Sequence, residues 1–212
     1  DLLTQFAAAL PTPPQIIHYP PSRPLTAPQL TAYLRTSITT TPIVLIAESF
    51  STPLAIQYAA RNPSAVRALI LCAGFTTLPA SRLTRRLLWL LTPILFLAPP
   101  PTWAIKRWLA GPQAPQSLVH DIQKAIASVR RKVLATRLRA LLTLDATADL
   151  ARLTLPILYI RAEQDRLIPP SALDTIHQIL PIRVAVIPGP HLILQREPKL
   201  AAAAITLFLG AP

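Results

Sequence analysis

Apolar positions along the chain follow two alternating patterns. Ile43-Val-Leu-Ile46 is an unbroken run of branched apolar residues, which predicts a strand buried on both faces. Comparable runs recur at Arg67–Cys72, at Leu155-Pro-Ile-Leu-Tyr-Ile160 and at Arg183–Ile187. A shorter one, Gln15-Ile-Ile-His-Tyr19, stops at Pro20-Pro21 and predicts one more strand. Between these runs apolar residues return at helical spacing. Helices are predicted over Asp1–Leu10, from Thr26 to about Thr36, over Pro53–Ala60, over Ser171–Leu180, and up to a final turn near Leu209. Thr26 is the expected N-cap of the second, with Pro28 in its first turn. Strands alternating with helices of this length imply an α/β fold whose mostly parallel sheet is covered by helices on both faces.

The alternation stops after Gly74 and resumes only at Leu155. The chain therefore divides into an N-terminal core part (1–75), a helical insertion (76–145) and a C-terminal core part (146–212). The insertion is broken by prolines, holds Trp89, Trp103 and Trp108, and is strongly basic. From Pro79 to Ala140 it carries eleven Lys or Arg and one acid, Asp121, which accounts for +10 of the net charge of +12. Such a charge raises the possibility of nucleic acid. No zinc spacing, recognition helix or aromatic-interleaved basic strand accompanies it, so no nucleic-acid partner is expected.

With half of the residues apolar and 14% charged, disorder is excluded. The longest apolar stretch, Leu87–Ala98, is 12 residues and contains Pro93. That is short of the roughly 18–20 residues that span a bilayer. The single cysteine, Cys72, excludes an internal disulfide and reads as a core filler. No secretory signal is visible, so a cytoplasmic location is expected. The chain begins at Asp1 and contains no methionine, which places the translational start and any leader upstream.

In parallel sheets chemistry collects at the carboxyl ends of the strands. Ser49, Asp165 and His191 each fall just after a predicted strand. Ser49 sits between a strand and a helix in Ala47-Glu48-Ser49-Phe50-Ser51, a G-x-S-x-G-like turn with small residues at both glycine positions. The order Ser…Asp…His resembles the α/β-hydrolase superfamily over nearly the whole chain. Glu163-Gln-Asp165-Arg-Leu-Ile-Pro169 resembles its acid turn, and Gly189-Pro-His191 resembles its histidine loop. Glu48-Ser49-Phe50 is similar to a bacterial subgroup with a G-E-S-F-G elbow, which includes carboxylesterase-like proteins and acyl-carrier methyl esterases.

The resemblance implies a nucleophile Ser49, a base His191, an orienting acid Asp165 and one oxyanion donor, the Phe50 backbone N–H. Glu163 is the alternative acid, with Asp165 favoured. Ala73-Gly74-Phe75-Thr76, where some family members keep the acid, holds no carboxylate. His18, His120 and His177 read as surface or helix histidines, and Glu48 as a neighbour of the insertion. No metal spacing occurs and no cofactor is expected.

The implied function is hydrolysis of a small acyl ester through an acyl-Ser49 intermediate. Thioester or carbon–carbon bond cleavage is the near alternative. A catalytically impaired protein binding an acidic partner is the distant one. The insertion corresponds to the family's lid, and Leu87–Leu97 is expected to line the acyl pocket. Its basic residues suit an acyl-carrier protein or an anionic membrane surface.

Matching Ile43–Ala47 to the fifth strand of the family order 1-2-4-3-5-6-7-8 makes Gln15–Tyr19 the fourth. The first three strands, and the loop giving the second oxyanion donor, would then precede Asp1. A slot one strand wide is expected between Gln15–Tyr19 and Ile43–Ala47. With it comes poor solubility and low activity for this length of chain, relieved by an N-terminal extension.

Overall fold

The computed structural model describes residues 2–210, apart from the side chain of Pro93. Strands β1 (Ile43–Glu48), β2 (Val66–Cys72), β3 (Ile157–Ala162) and β4 (Arg183–Ile187) form a parallel sheet in that spatial order. One row of the register runs Ile46, Ile70, Leu158, Arg183. Successive side chains of a strand point to opposite faces, and both faces here are apolar. Leu45, Ala47, Leu69, Leu71, Ile157 and Tyr159 face a core completed by α2 (Ala27–Ser37), α3 (Ser51–Arg61), α8 (Thr147–Leu150) and α9 (Ser171–Ile179). Ala68, Ile70, Cys72, Leu158 and Ile160 face a second core, closed by α1 (Thr4–Ala9), α10 (Ile193–Arg196) and α11 (Pro198–Gly210). Leu69 to Cys72 are wholly buried, which is why β2 reads as a continuous apolar run. At the start of α2 the Gln29 side-chain oxygen accepts from both the N–H (2.9 Å) and the hydroxyl (3.0 Å) of Thr26.

Gln15–Tyr19, predicted as a strand, stands apart from β1 across the expected slot. It has no regular secondary structure and, among the described residues, belongs to no ladder. Side chains hold it against α2 instead: Tyr33 Oη donates to the His18 carbonyl at 3.0 Å, and Gln15 Nε2 to the Ser37 carbonyl at 3.0 Å. Tyr19 packs edge-on against Phe50, with ring centres 5.8 Å apart. A ladder needs an adjacent strand, and the described residues place none beside this segment. Between this segment and β1 lies a groove of about 840 Å³, walled by Phe6, Leu10, Ile17, Val44, Ile46 and Ile205 among others.

Among the described residues, no strand pairs with the β1 edge along that groove. The N–H groups of Ile43 and Ser49 donate to Ala65 and Cys72 carbonyls on the β2 side, each at 2.9 Å. Main-chain groups alternate sides along a strand, so those of Val44, Ile46 and Glu48 face the groove.

The insertion leaves and returns at one point. Thr77 bridges Asp145, and the Ala146 N–H donates to the Thr76 carbonyl at 3.0 Å. It comprises α4 (Arg82–Leu95), α5 (Thr102–Ile105) running into a π-helical turn at Lys106–Ala110, α6 (Gln116–Ala127) and α7 (Arg131–Thr143). Ile105, Ala110, Ala114, Val119 and Ile122 form its own small core. Helix α4 packs on α7, while Leu83, Leu87, Leu90, Ile94 and Leu97 point into solvent. Within Leu87–Leu97, the stretch expected to line an acyl pocket, these side chains are exposed while Thr92 is buried: periodicity marks an apolar stripe but not the direction it faces.

Hydrogen exchange tests the β1 edge. Amides of Val44, Ile46 and Glu48 should exchange roughly 10² times faster than those of Leu45 and Ala47. Equal protection of the two sets, read by residue-resolved NMR, would mean that the edge is covered.

Candidate active site

Where β1 passes into α3 the chain turns sharply at Ser49, whose φ of +50° lies in the left-handed region. A non-glycine residue there costs about 1–3 kcal/mol and persists only when its surroundings hold it. Several contacts do so. The Ser49 N–H donates to Cys72 O at 2.9 Å, and its carbonyl accepts the Thr52 N–H at 2.9 Å. The Thr52 hydroxyl, wholly buried, lies 2.8 Å from the Ser49 carbonyl and 3.1 Å from the Phe75 carbonyl. It also accepts the Phe75 N–H at 3.1 Å. Gly74 fits against the same side chain, since a Cβ there would sit 2.5 Å from Thr52 Cγ2. The Tyr159 hydroxyl donates to the Gly74 carbonyl at 2.8 Å and fixes the loop from below.

The structure brings Ser49, His191 and Asp165 into one hydrogen-bonded chain. Ser49 Oγ lies 2.7 Å from His191 Nε2, and His191 Nδ1 lies 2.8 Å from Asp165 Oδ2. The other carboxylate oxygen, Oδ1, accepts the N–H groups of Leu167 (2.8 Å) and Ile168 (2.9 Å). His191 is only 1% exposed. Its loop is tied to the acid loop by Gln164 N–H on Gly189 O at 2.9 Å, and to the insertion by Leu192 N–H on Leu109 O at 3.0 Å.

Glu163, in the same loop as Asp165, is exposed and contributes only its N–H, to Ile187 O at 3.0 Å. His120 and His177 are exposed on α6 and α9, and His18 lies in the segment beside α2. The Phe50 N–H, next after Ser49, makes no hydrogen bond among the described residues and is free to serve a ligand.

Glu48, expected to neighbour the insertion, takes its hydrogen-bond partners from α10. Its carboxylate lies against α10, accepting the Leu194 N–H at 3.2 Å and Gln195 Nε2 at 2.8 Å. Desolvation by the surrounding core raises its pKa, opposed in part by those two bonds and by nearby His191. Burial likewise pushes the Cys72 thiol well up, so it stays protonated and inert.

Sequence reasoning missed Thr52 and Gly74 as supports of the Ser49 turn. The available signal was a hydroxyl three residues after Ser49 and a glycine just past the next strand. Thr52→Val keeps the volume but leaves the buried Phe75 N–H without an acceptor. It should lower folding stability by about 1–3 kcal/mol, measured by urea denaturation; an unchanged midpoint would show that the turn holds without that hydroxyl.

The "Serine aminopeptidase, S33" family model matches residues 27–190. No curated protein matches the sequence significantly. Among solved structures, the chain is similar to a bromoperoxidase from Bacillus anthracis (TM-score 0.77, 16% identity, covering 92% of this chain and 77% of that one). It is also similar to a thermophilic esterase from Thermogutta terrifontis (TM-score 0.70, 21% identity, 92% and 74%). A third is the enol-lactonase from Burkholderia xenovorans LB400 (TM-score 0.73, 16% identity, 90% and 75%). At these identities the structures speak for the fold, and the family match covers most of the chain. The chain belongs to the serine aminopeptidase S33 family of hydrolases and has the α/β-hydrolase fold.

Proposed function

We propose that the chain cleaves carboxylic esters through an acyl-Ser49 intermediate. The observation that carries this reading is the unbroken hydrogen-bonded chain from Ser49 through His191 to Asp165. A serine hydroxyl is a weak nucleophile until a base removes its proton. His191 Nε2 takes that proton as Ser49 Oγ attacks the ester carbonyl, then returns it to the departing alkoxide. Water follows the same route in reverse to release the acid. Asp165 holds the imidazole with Nδ1–H toward itself and stabilises the imidazolium, while Leu167 and Ile168 fix the carboxylate. The oxyanion forms beside the Phe50 N–H, at the amino end of α3, where donor and helix dipole both favour negative charge.

The family name raises a peptide substrate with a free α-amino group. Binding an ammonium calls for a spare carboxylate near Ser49. Asp165 is engaged by His191, Leu167 and Ile168, and Glu48 by Leu194 and Gln195. Glu163 is turned out to solvent. This supports an uncharged ester over an aminopeptidase substrate. The names of the esterase and enol-lactonase among the similar structures point the same way.

Ser49→Ala and His191→Ala should each lower turnover of a p-nitrophenyl ester by roughly 10³ or more. Asp165→Asn should lose about 10⁴, whereas Glu163→Gln should leave the rate unchanged. A fluorophosphonate should label the parent chain and not Ser49→Ala. Near-normal turnover by His191→Ala would refute the mechanism, and faster cleavage of an aminoacyl p-nitroanilide than of the ester would refute the substrate class.

A further inference from the structure

Helix α4 is built inside out. Leu83, Leu87, Leu90 and Ile94, followed by Leu97 just past its end, recur at helical spacing and fall within an arc of roughly 80°. Each is between 53% and 78% exposed. On the opposite side of the helix Thr92 is wholly buried, its hydroxyl satisfied by the Leu88 carbonyl at 2.7 Å. Arg85 shares that inward side and is spent on the insertion itself, bonding Thr77, Leu78 and Ala80. An amphipathic helix normally turns its apolar stripe to the core and its polar side to water. Here five aliphatic side chains are presented outward in a row.

The charge around that row is of one sign. Arg82 and Arg86 are exposed on the first turn of α4, and Lys106 and Arg107 follow on the π-helical turn. No Asp or Glu occurs from Pro79 to His120. The segment after α4 exposes Trp103 and Trp108, the latter with the Arg107 guanidinium 4.7 Å from its ring centre.

We propose that the outward face of α4 docks on an anionic phospholipid surface, the aliphatic row entering the acyl boundary and the arginines meeting acidic headgroups. An aliphatic stripe, basic flanks and neighbouring tryptophans are the composition of interfacial helices. The row offers a protein partner little to read: it bears no hydrogen-bonding group, and the charges that border it are all cationic. The helix lies on the bilayer and does not cross it. Its 14 residues extend about 21 Å, short of the roughly 30 Å hydrocarbon core. No helix among the described residues is long and apolar enough to span a membrane. The proposal stands independently of the chemistry at Ser49.

All three tryptophans of the chain lie in the insertion, so intrinsic fluorescence reports on it without labels. The full chain is titrated with vesicles of phosphatidylcholine and phosphatidylglycerol in about a 3:1 ratio, and with phosphatidylcholine alone. A blue shift and co-flotation with the mixed vesicles, weakening as salt rises, are expected. Each surface Arg contributes roughly fivefold to such binding. Arg82→Glu with Arg86→Glu should therefore weaken it at least tenfold, and Leu87→Asp with Leu90→Asp should abolish it. These side chains are exposed, and far-UV circular dichroism checks that both variants fold. Failure to bind mixed vesicles overturns the proposal, as does equal binding by either folded variant. Self-association through the row, lost on Leu87→Asp with Leu90→Asp and unaccompanied by vesicle binding, assigns the face to a second copy and also overturns it.

Discussion

Because all four strands run parallel, their carboxyl ends lie along one edge of the sheet, and that constraint decides where reactive side chains can gather. Ser49 follows β1, Asp165 follows β3 and His191 follows β4. The three are separated by up to 142 positions in sequence yet lie within two hydrogen bonds of one another. Nothing local draws them together. The ladders set the relative heights of the strand ends, and short contacts between loops finish the alignment. Glu163 N–H on Ile187 O and Gln164 N–H on Gly189 O, at 3.0 and 2.9 Å, fasten the acid loop to the histidine loop. Residues that bear no reactive group thus hold the geometry on which the reaction would depend.

That geometry has a cost, located at Ser49. Its left-handed backbone lifts Oγ toward His191, and the neighbouring Ala73 also has positive φ, at +45°. Two such residues cost about 1–3 kcal/mol each, a sizeable share of the 5–15 kcal/mol typical of a folded domain. The offset comes from burial and pairing around them. Thr52 joins the Ser49 and Phe75 segments through one hydroxyl, and the absence of a Cβ at Gly74 lets the two loops touch. The small residues Ala47 and Ser51 stand where the usual elbow has glycines, so the close approach of strand and helix does not require glycine on both sides.

The strands were legible because β-branched apolar runs buried on both faces have few other uses. All four core strands lie within two residues of where the pattern put them. Gln15–Tyr19 carried the same local signal, and its lack of a ladder agrees with the slot expected beside it. Asp165 and Glu163 shared one loop and one chemistry. What separates them is that the Leu167 and Ile168 N–H groups converge on Asp165 Oδ1, a property of the folded turn. The partners of Glu48 were hidden for a similar reason: Gln195 is 147 positions away. The direction of the α4 stripe was hidden as well, since a helix wheel is blind to rotation about its own axis.

Exposed aliphatic rows usually invite self-association, and the charge distribution bears on why this one need not. The insertion carries nearly all of the excess positive charge of the chain. Two copies approaching through α4 with the helices parallel would bring Arg82 and Arg86 of each against like charge, within a Debye length of about 8–10 Å. Repulsion at that range opposes the hydrophobic gain before the leucines meet, while an anionic surface meets attraction instead of repulsion on the same approach. The basic residues therefore discriminate between partners for an apolar face that would otherwise accept any. On the proposed docking, the α4 stripe and its flanking arginines act as one device, in which the leucines supply binding and the charges decide to what.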